Sequence, residues 1–383
     1  MRFGIDGSGL FPRYGINEIT IQLVRHLVEV DAGNKYFLYT LEDLPSELEL
    51  DSSSLVVRRA DHWNRKVWQQ TRLPLAARRD NVDLMLFPSN SVSSFVHCRS
   101  AAIIHDLHAF VCPEPYARVH TSEFHGGWLR ATFNRWYWKQ MLRVAARQDK
   151  VLVYSESTER DLKDLFNTPA ERIERIRLGV DHEVFNCSVD SQRQIAVQQQ
   201  LGLPERYLLC VGTHTFKNLE GSIRAFDLVK RRYSESLGLV VAGHASAIST
   251  RIVELLRERE LEDEVVFAGF VSRDDLKHVY QLAELLLFPS FYEGFGLPVI
   301  EALACGTPVV TSTTGSLPEA AGEAGLLVDP YDPEDIAAAV LRLLNDPELR
   351  RERRRRGLDW ATRFSWRETG RRVMEVLERT VLA

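Results

Sequence analysis

The sequence predicts an α/β protein built as two doubly wound parallel-sheet domains, and three observations predict it. Short apolar runs of strand length alternate with stretches of helical period, and the alternation starts afresh near the middle of the chain. The length of 383 residues exceeds what one ordinary core holds and fits two domains of roughly 150–200 residues each. Glycine-bearing turns follow the first strand of each half, through Gly7, Gly9 and Gly15 in one and Gly212 in the other.

In chain order, residues 2–6 read as a strand, 18–30 as an apolar-periodic helix and 35–39 as the next strand. Strand-like runs follow at 82–87, 100–104 and 150–154, separated by helical stretches. A break falls at 178–186, and the Gln-rich helix after it need not belong to either core. The pattern restarts with strand 207–211 and helix 219–231, then strands at 237–242, 264–267, 285–288, 307–311 and 325–328. Helix 333–344, a charged stretch at 347–356 and a last helix at 366–382 complete the chain. Two such domains facing each other would set the carboxyl ends of both sheets along one cleft. The expected limits are 1–185 for the first domain, 186–365 for the second and 366–383 for the final helix.

Composition excludes several classes. Hydrophobic residues make up 45% and charged residues 26%, ordinary usage for a soluble globular protein. A net charge of −5 gives no global attraction to nucleic acid or to acidic membranes. No apolar run reaches the length that spans a bilayer, and the first residues run into a strand without a signal-peptide pattern. Five cysteines, odd in number and scattered, read as free thiols in a reducing compartment, which predicts a cytoplasmic protein. The run Arg350-Arg-Glu-Arg-Arg-Arg-Arg356 reads as a solvated helix face. Residues 128–147 interleave Trp128, Phe133, Trp136, Tyr137, Trp138 and Met141 with five basic residues. That pattern suits peripheral contact with a membrane, at its inner face for a cytoplasmic protein, and it also suits a core helix with snorkelling arginines.

The richest segment is Phe291-Tyr-Glu-Gly-Phe-Gly-Leu-Pro-Val-Ile-Glu301. Gly294 and Gly296 admit backbone conformations closed to other residues and let a ligand approach the main chain. Pro298 belongs in a first helical turn, so Glu293 lies on the loop and Glu301 about one turn into the helix. The free N–H groups of such a turn suit a phosphate. A diphosphate there would lie between the two glutamates, with Glu293 accepting from hydroxyls of a sugar and Glu301 from hydroxyls of a ribose. That is the shape of a nucleotide-sugar. Glu301 alone would read as compensation of its own helix dipole; the flanking apolar strands 285–288 and 307–311 place the loop where doubly wound sheets bind ligands.

Lys217, in Val211-Gly-Thr-His-Thr-Phe-Lys217-Asn218, sits at the first strand-to-helix turn of the second half, where its ammonium would neutralise a leaving diphosphate. His105 and His108 end a strand in the first half; neither they nor His120 and His125 gain the further ligands that a metal site needs, so no metal is expected. A histidine at that strand end suits a substrate hydroxyl, or a structural hydrogen bond. Gly7-Ser-Gly9 lacks the third glycine of a dinucleotide fingerprint, and neither G-x-S-x-G nor a Walker A run is present.

These residues resemble the retaining glycosyltransferases of family 4, which have the GT-B architecture of two facing Rossmann-like domains. Glu293 and Glu301 match the family's E-x7-E motif, and Gly306-Thr-Pro-Val-Val, Gly315-Ser-Leu-Pro-Glu319, Trp68-Gln-Gln, Ile104-His105-Asp106-Leu107, Tyr154-Ser-Glu-Ser157 and Leu178-Gly-Val-Asp181 extend the likeness along nearly the whole chain. The resemblance implies that Glu301 holds the ribose and that Glu293, with the backbone of Gly294, Phe295, Gly296 and Leu297, holds the donor sugar and phosphate. It implies Lys217 on the diphosphate, Thr213 and the backbone of Val271 along the nucleotide, His105 against the transferred sugar, the Gly15–Asn17 loop at the donor phosphate, and a final helix crossing back to the first domain. Three positions depart from the family pattern. Asn17 replaces a glycine, Phe216-Lys217 replaces a basic pair in a turn one residue shorter, and Leu178 replaces an asparagine.

What the resemblance implies is transfer of a hexose, mannose from GDP-mannose first, to a glycan or lipid-linked acceptor with retention of configuration, with no cofactor, no metal and no nucleic-acid partner. Two alternatives share the architecture: a nucleotide-sugar 2-epimerase, and a catalytically idle relative that binds a sugar nucleotide.

Overall fold

The computed structural model describes residues 1–10, 16–31, 33–48, 53–60, 63–112, 127–244 and 248–383, with the side chains of 16, 46 and 127–135 left outside the description. The chain divides into two compact units. One gathers Met1–Leu107, Thr132–Gly179 and Ser365–Ala383, and the other His108–Ala131 and Val180–Phe364.

The first unit is a seven-stranded, wholly parallel sheet in the order β3-β2-β1-β4-β5-β6-β7. Its strands are β1 (Arg2–Asp6), β2 (Lys35–Thr40), β3 (Leu55–Arg59), β4 (Leu84–Phe87), β5 (Arg99–Ile103), β6 (Lys150–Val153) and β7 (Ile173–Arg175). Every residue of β4 is buried, as a strand covered on both faces requires. Of the apolar residues in the edge strands β3 and β7, Leu55, Val56, Val57 and Ile173, only Ile173 is buried, so neither strand carries the longer apolar run by which the inner strands are read. Helices α1 (Ile16–Val30), α2 (Arg65–Arg79), α4 (Gly127–Ala145, from Thr132 on) and α5 (Glu156–Phe166) belong to this unit, whereas the short α3 (His108–Val111) is grouped with the second.

The second unit repeats the plan with six parallel strands in the order β10-β9-β8-β11-β12-β13. These are β8 (Tyr207–Val211), β9 (Gly238–Ala242), β10 (Val265–Gly269), β11 (Leu285–Phe288), β12 (Val309–Ser312) and β13 (Leu326–Val328). The helices are α6 (Ser191–Leu201), α7 (Leu219–Arg232), α8 (Thr250–Glu258), α9 (Arg273–Leu282), α10 (Leu297–Ala304), α11 (Leu317–Ala321), α12 (Pro333–Asn345) and α13 (Pro347–Ala361). Leu208, Phe226, Leu239, Val241, Leu285, Leu287, Val310 and Val340 form its core between sheet and helices. The Gln-rich helix α6 does join this unit. Val197 is buried, Arg193 pairs with Asp275 of α9, and Gln194 donates to Gln281 at 3.0 Å.

The charged stretch at 347–356 is the first part of α13, capped by Asp346, whose side chain accepts from the Leu349 N–H. Three of its arginines are engaged with carboxylates: Arg350 with Glu284, Arg351 with Glu348, and Arg356 with Glu352 at 2.6 Å. The last helix, α14 (Trp366–Leu382), belongs to the first unit and packs along α1. Gly370 faces α1. A Cβ there would stand 2.9 Å from the backbone of His26, whose ring stacks on Trp366 with centroids 6.3 Å apart. Among the described residues no helix is long and apolar enough to cross a membrane, and none of the five cysteines forms a disulfide.

Candidate active site

In each sheet the strand order reverses beside the first strand, between β1 and β4 in one unit and between β8 and β11 in the other. Such switch points open a crevice at the carboxyl ends of the strands, where doubly wound sheets hold ligands. In the second unit the loop after β8 carries Lys217 and the loop after β11 carries Glu293. The two loops are tied by the Phe291 N–H, which donates to Phe216 O at 2.9 Å. Asn218 fixes the first loop. It takes the left-handed conformation (φ 57°), its Oδ1 caps α7 by accepting from the Gly221 N–H, and its Nδ2 donates to Pro289 O and Pro330 O at 3.0 and 2.7 Å. Lys217 is therefore held at the crevice by the residue that follows it.

Lys217 Nζ lies 2.6 Å from Glu293 Oε1, and the two side chains are only 15% and 11% exposed. The ammonium also sits 4.7 Å above the ring of Phe288. With water largely excluded, each charge depends on the other, and removing either partner would leave the second uncompensated. The Glu293 backbone is fixed by Ser316, whose Oγ donates to Glu293 O at 2.8 Å. Gly315, at φ 60°, lets that backbone pass: a Cβ there would stand 3.2 Å from both Glu293 N and O. Phe295 is buried in this loop. Gly296 begins α10 at φ 105°, Pro298, which has no N–H, lies in its first turn as the sequence predicts, the Val299 N–H donates to Gly296 O at 2.9 Å, and no side chain caps the helix.

Glu301 lies in α10, one turn beyond Leu297. Its Oε2 accepts from the hydroxyl of Tyr280 at 3.0 Å. Tyr280 is fully buried, and burial together with the neighbouring Glu301 carboxylate pushes its phenol well above the usual range, so it stays a donor. Thr213 is buried and its Oγ1 donates to His244 O at 3.0 Å. Val271 follows β10, on the far side of β8 from the two glutamates.

His105 belongs to the first unit, immediately beyond β5, and is 5% exposed. Its Nε2 is 2.8 Å from Pro88 O, and since a carbonyl only accepts, Nε2 carries the proton of the neutral ring. Nδ1 is then an acceptor, and it is buried without a hydrogen-bond partner. Burial holds the ring below its ordinary pKa, with the Pro88 carbonyl acting in the opposite direction. Asn90 accepts from the His105 backbone N–H at 2.9 Å, and the Tyr154 ring packs against the imidazole at 5.5 Å. Asn17 lies in the first turn of α1; Gly15, His120 and His125 lie outside the described residues. Among the described residues no three His, Cys, Asp or Glu side chains gather to hold a metal ion.

The structure thus joins Lys217 to Glu293 and sets Glu301 on the following helix, all in the second unit, with His105 in the first. Sequence reasoning missed the partners: Tyr280 on Glu301, Pro88 on His105 and Ser316 on Glu293. Tyr280 lies 21 residues from Glu301 in the chain, and the other two contacts use backbone carbonyls, which leave no mark in composition.

Two family models match the chain: Glycosyltransferase Family 4 over residues 14–184 and Glycosyl transferases group 1 over residues 191–360. The O-antigen chain mannosyltransferase B of Escherichia coli is 31% identical over 377 residues, covering 93% of each chain. The serotype-specific mannosyltransferase WbdA of Escherichia coli is 28% identical over 244 residues, 63% of this chain but 30% of that longer protein. Among solved structures, HepE of Anabaena in complex with UDP-glucose aligns with a TM-score of 0.75 at 17% identity, covering 99% of this chain and all of that one, which is a likeness of fold. The E-x7-E pair, the two switch-point sheets and this kinship agree: the chain belongs to glycosyltransferase family 4, with the GT-B fold.

Proposed function

We propose that this glycosyltransferase moves a mannosyl residue from GDP-mannose to a hydroxyl of a polysaccharide or lipid-linked glycan, with retention at the anomeric carbon. The Lys217–Glu293 ion pair at the uncapped start of α10 is the observation that carries the chemistry. The mannosyl donor is favoured by similarity to proteins named mannosyltransferases. A bound diphosphate competes for the Lys217 ammonium and lies at the positive end of the α10 dipole. Glu293, losing its cation, is then offered the hydroxyls of the donor sugar, so charge and hydrogen bonds are exchanged rather than lost. Glu301, oriented by Tyr280, accepts from the ribose.

In the transfer step the bond from the anomeric carbon to the diphosphate oxygen breaks, and its electron pair goes to the diphosphate. Lys217 and the helix N-terminus stabilise that developing charge. The acceptor oxygen bonds to the anomeric carbon on the same face and its proton passes to the departing diphosphate, so the protein contributes electrostatics, with no step assigned to a metal. The unpartnered Nδ1 of His105 suits a hydroxyl of the transferred sugar.

On the same reading the acceptor meets the protein at the inner face of the membrane. Helices α2 and α4 meet where Lys66 Nζ lies 4.4 Å from the ring of Tyr137; α2 carries five basic residues and no acidic one, and Val67, Leu75 and Trp136 are exposed beside them. Such a basic, aromatic surface suits anionic lipid headgroups.

The test is release of nucleotide from GDP-mannose, UDP-glucose, UDP-galactose and UDP-N-acetylglucosamine, with and without a chelator, followed by the anomeric configuration of the product and by flotation with anionic vesicles. The expected outcome is chelator-resistant turnover of GDP-mannose to an α-linked product and co-flotation of the protein. Preference for a UDP donor, an inverted product, loss of turnover with chelator, or absence from the vesicle fraction would each overturn the corresponding part.

A further inference from the structure

The loops after β8, β11 and β13 are tied into one rim at the carboxyl edge of the second sheet. Asn218 Nδ2 donates to Pro289 O and Pro330 O, and the Phe291 N–H donates to Phe216 O. The Tyr331 N–H donates to Asp329 Oδ1 at 2.9 Å, which sets the residue after Pro330. On this rim the Phe291 and Tyr331 rings are stacked, with centroids 4.9 Å apart and planes 27° from parallel. Tyr331 is nevertheless 70% exposed. A single surface aromatic needs no explanation. Here the ring is backed by a second ring on loops held by hydrogen bonds, a preformed flat surface where doubly wound sheets bind ligands. Asp329 and Asp332 flank Tyr331 in the chain and are exposed. Each gives Oδ1 to a backbone N–H, of Tyr331 and of Glu334, and has a second oxygen with which to accept a hydroxyl.

The ring pair lies on the β11–β13 side of the crevice, away from β9 and β10. Phe291 precedes Glu293 by two residues, a span of at most about 7 Å, so a group on the rings is next to whatever Glu293 holds. Phe216, on the same rim, is an aromatic residue where the family pattern has a basic one. These features select the ligand. A pyranose presents C–H groups of positive partial charge on its faces, which meet the negative face of an aromatic ring, and hydroxyls at its edge, which carboxylates accept. A diphosphate gains nothing from either. We infer that Tyr331, backed by Phe291, holds a sugar ring of the acceptor glycan beside the donor sugar. The inference rests on the glycan-acceptor reading above and deepens it, since it requires a sugar ring, and not a lipid alone, next to the hydroxyl that is glycosylated.

The experiment is saturation-transfer NMR titration of the full chain, wild type and the variants Tyr331→Ala and Tyr331→Phe, with α-linked mannotriose and maltotriose as probes, beside calorimetric titration with GDP. The better-bound trisaccharide is expected to weaken about fivefold in Tyr331→Ala. Tyr331→Phe, which keeps the ring, should bind it as the wild type does, and GDP affinity and Tm should be unchanged in both variants. Trisaccharide affinity in Tyr331→Ala within about twofold of wild type, or a loss of GDP affinity equal to the loss of trisaccharide, would overturn the platform while leaving the acceptor reading intact. The second of these results would assign the ring to the nucleotide. A wild-type chain that binds GDP but neither trisaccharide would overturn both the platform and the glycan acceptor.

Discussion

Lys217 and His105 show two ways in which a single side chain is set for work. Lys217 sits in a low-water crevice with one carboxylate for company. Lys217→Ala is expected to lower turnover on the order of 10²- to 10³-fold, by loss of leaving-group stabilisation. It should also lower Tm, because Glu293 is left without its cation. Turnover near the wild-type value in a folded variant would remove Lys217 from the mechanism. His105 is instead kept neutral. Burial lowers its folded-state pKa below the ordinary value of about 6.5. The unfolded chain therefore takes up the proton first as pH drops, so the stability contributed by the neutral ring is complete above about 6.5 and is lost as pH falls from there through the lowered folded value. His278, also lowered by burial, acts with the same sign. Thermal melts between about pH 7 and pH 5 should show Tm falling, and falling less in His105→Gln; an identical slope in the variant would show that His105 is not responsible.

The elements were legible where burial on both faces forces a run of apolar residues. Strands β1, β8 and β11 and helix α14 lie where the sequence predicts them, because covered parallel strands and an amphipathic helix each write their environment into the chain. Edge strands β3 and β7 escaped because solvent on one side lets Arg58, Arg59 and Arg175 stand in them. In the site, the glutamates, the lysine and the turn glycines could be read from one segment at a time. Their partners could not, since Tyr280 and Glu301, or Lys217 and Glu293, meet only through the order of strands and helices. Helix α14 carries a prediction of its own. Gly370 leaves no room for a side chain against the His26 backbone, so Gly370→Leu should push α14 from α1 and destabilise the first unit by about 1–3 kcal/mol. Calorimetry should show the loss, and a melt matching wild type would mean that the helix pair tolerates separation.

At the scale of the molecule, the two sheets repeat one plan with different chemistry at the switch point. The second unit sets charge there, in Lys217, Glu293 and Glu301. The first unit sets mostly neutral hydrogen-bonding groups, with Gln69 donating to Asp6 at 2.6 Å, Ser91 donating to Gln69 at 2.6 Å, and His105 beyond the neighbouring strand. Charge suits a diphosphate, and an array of hydroxyl and amide groups suits a sugar. The first unit is also discontinuous: it joins β1 to α14, with most of the second unit between them in sequence. A nascent polypeptide leaves the ribosome from its first residue onward. The amino-terminal sheet must therefore wait, with the face of α1 that α14 will cover exposed, while the whole second unit is made and folds. Of the two units, the one whose synthesis starts earlier is thus completed later, and a stop in translation before α14 leaves it unfinished.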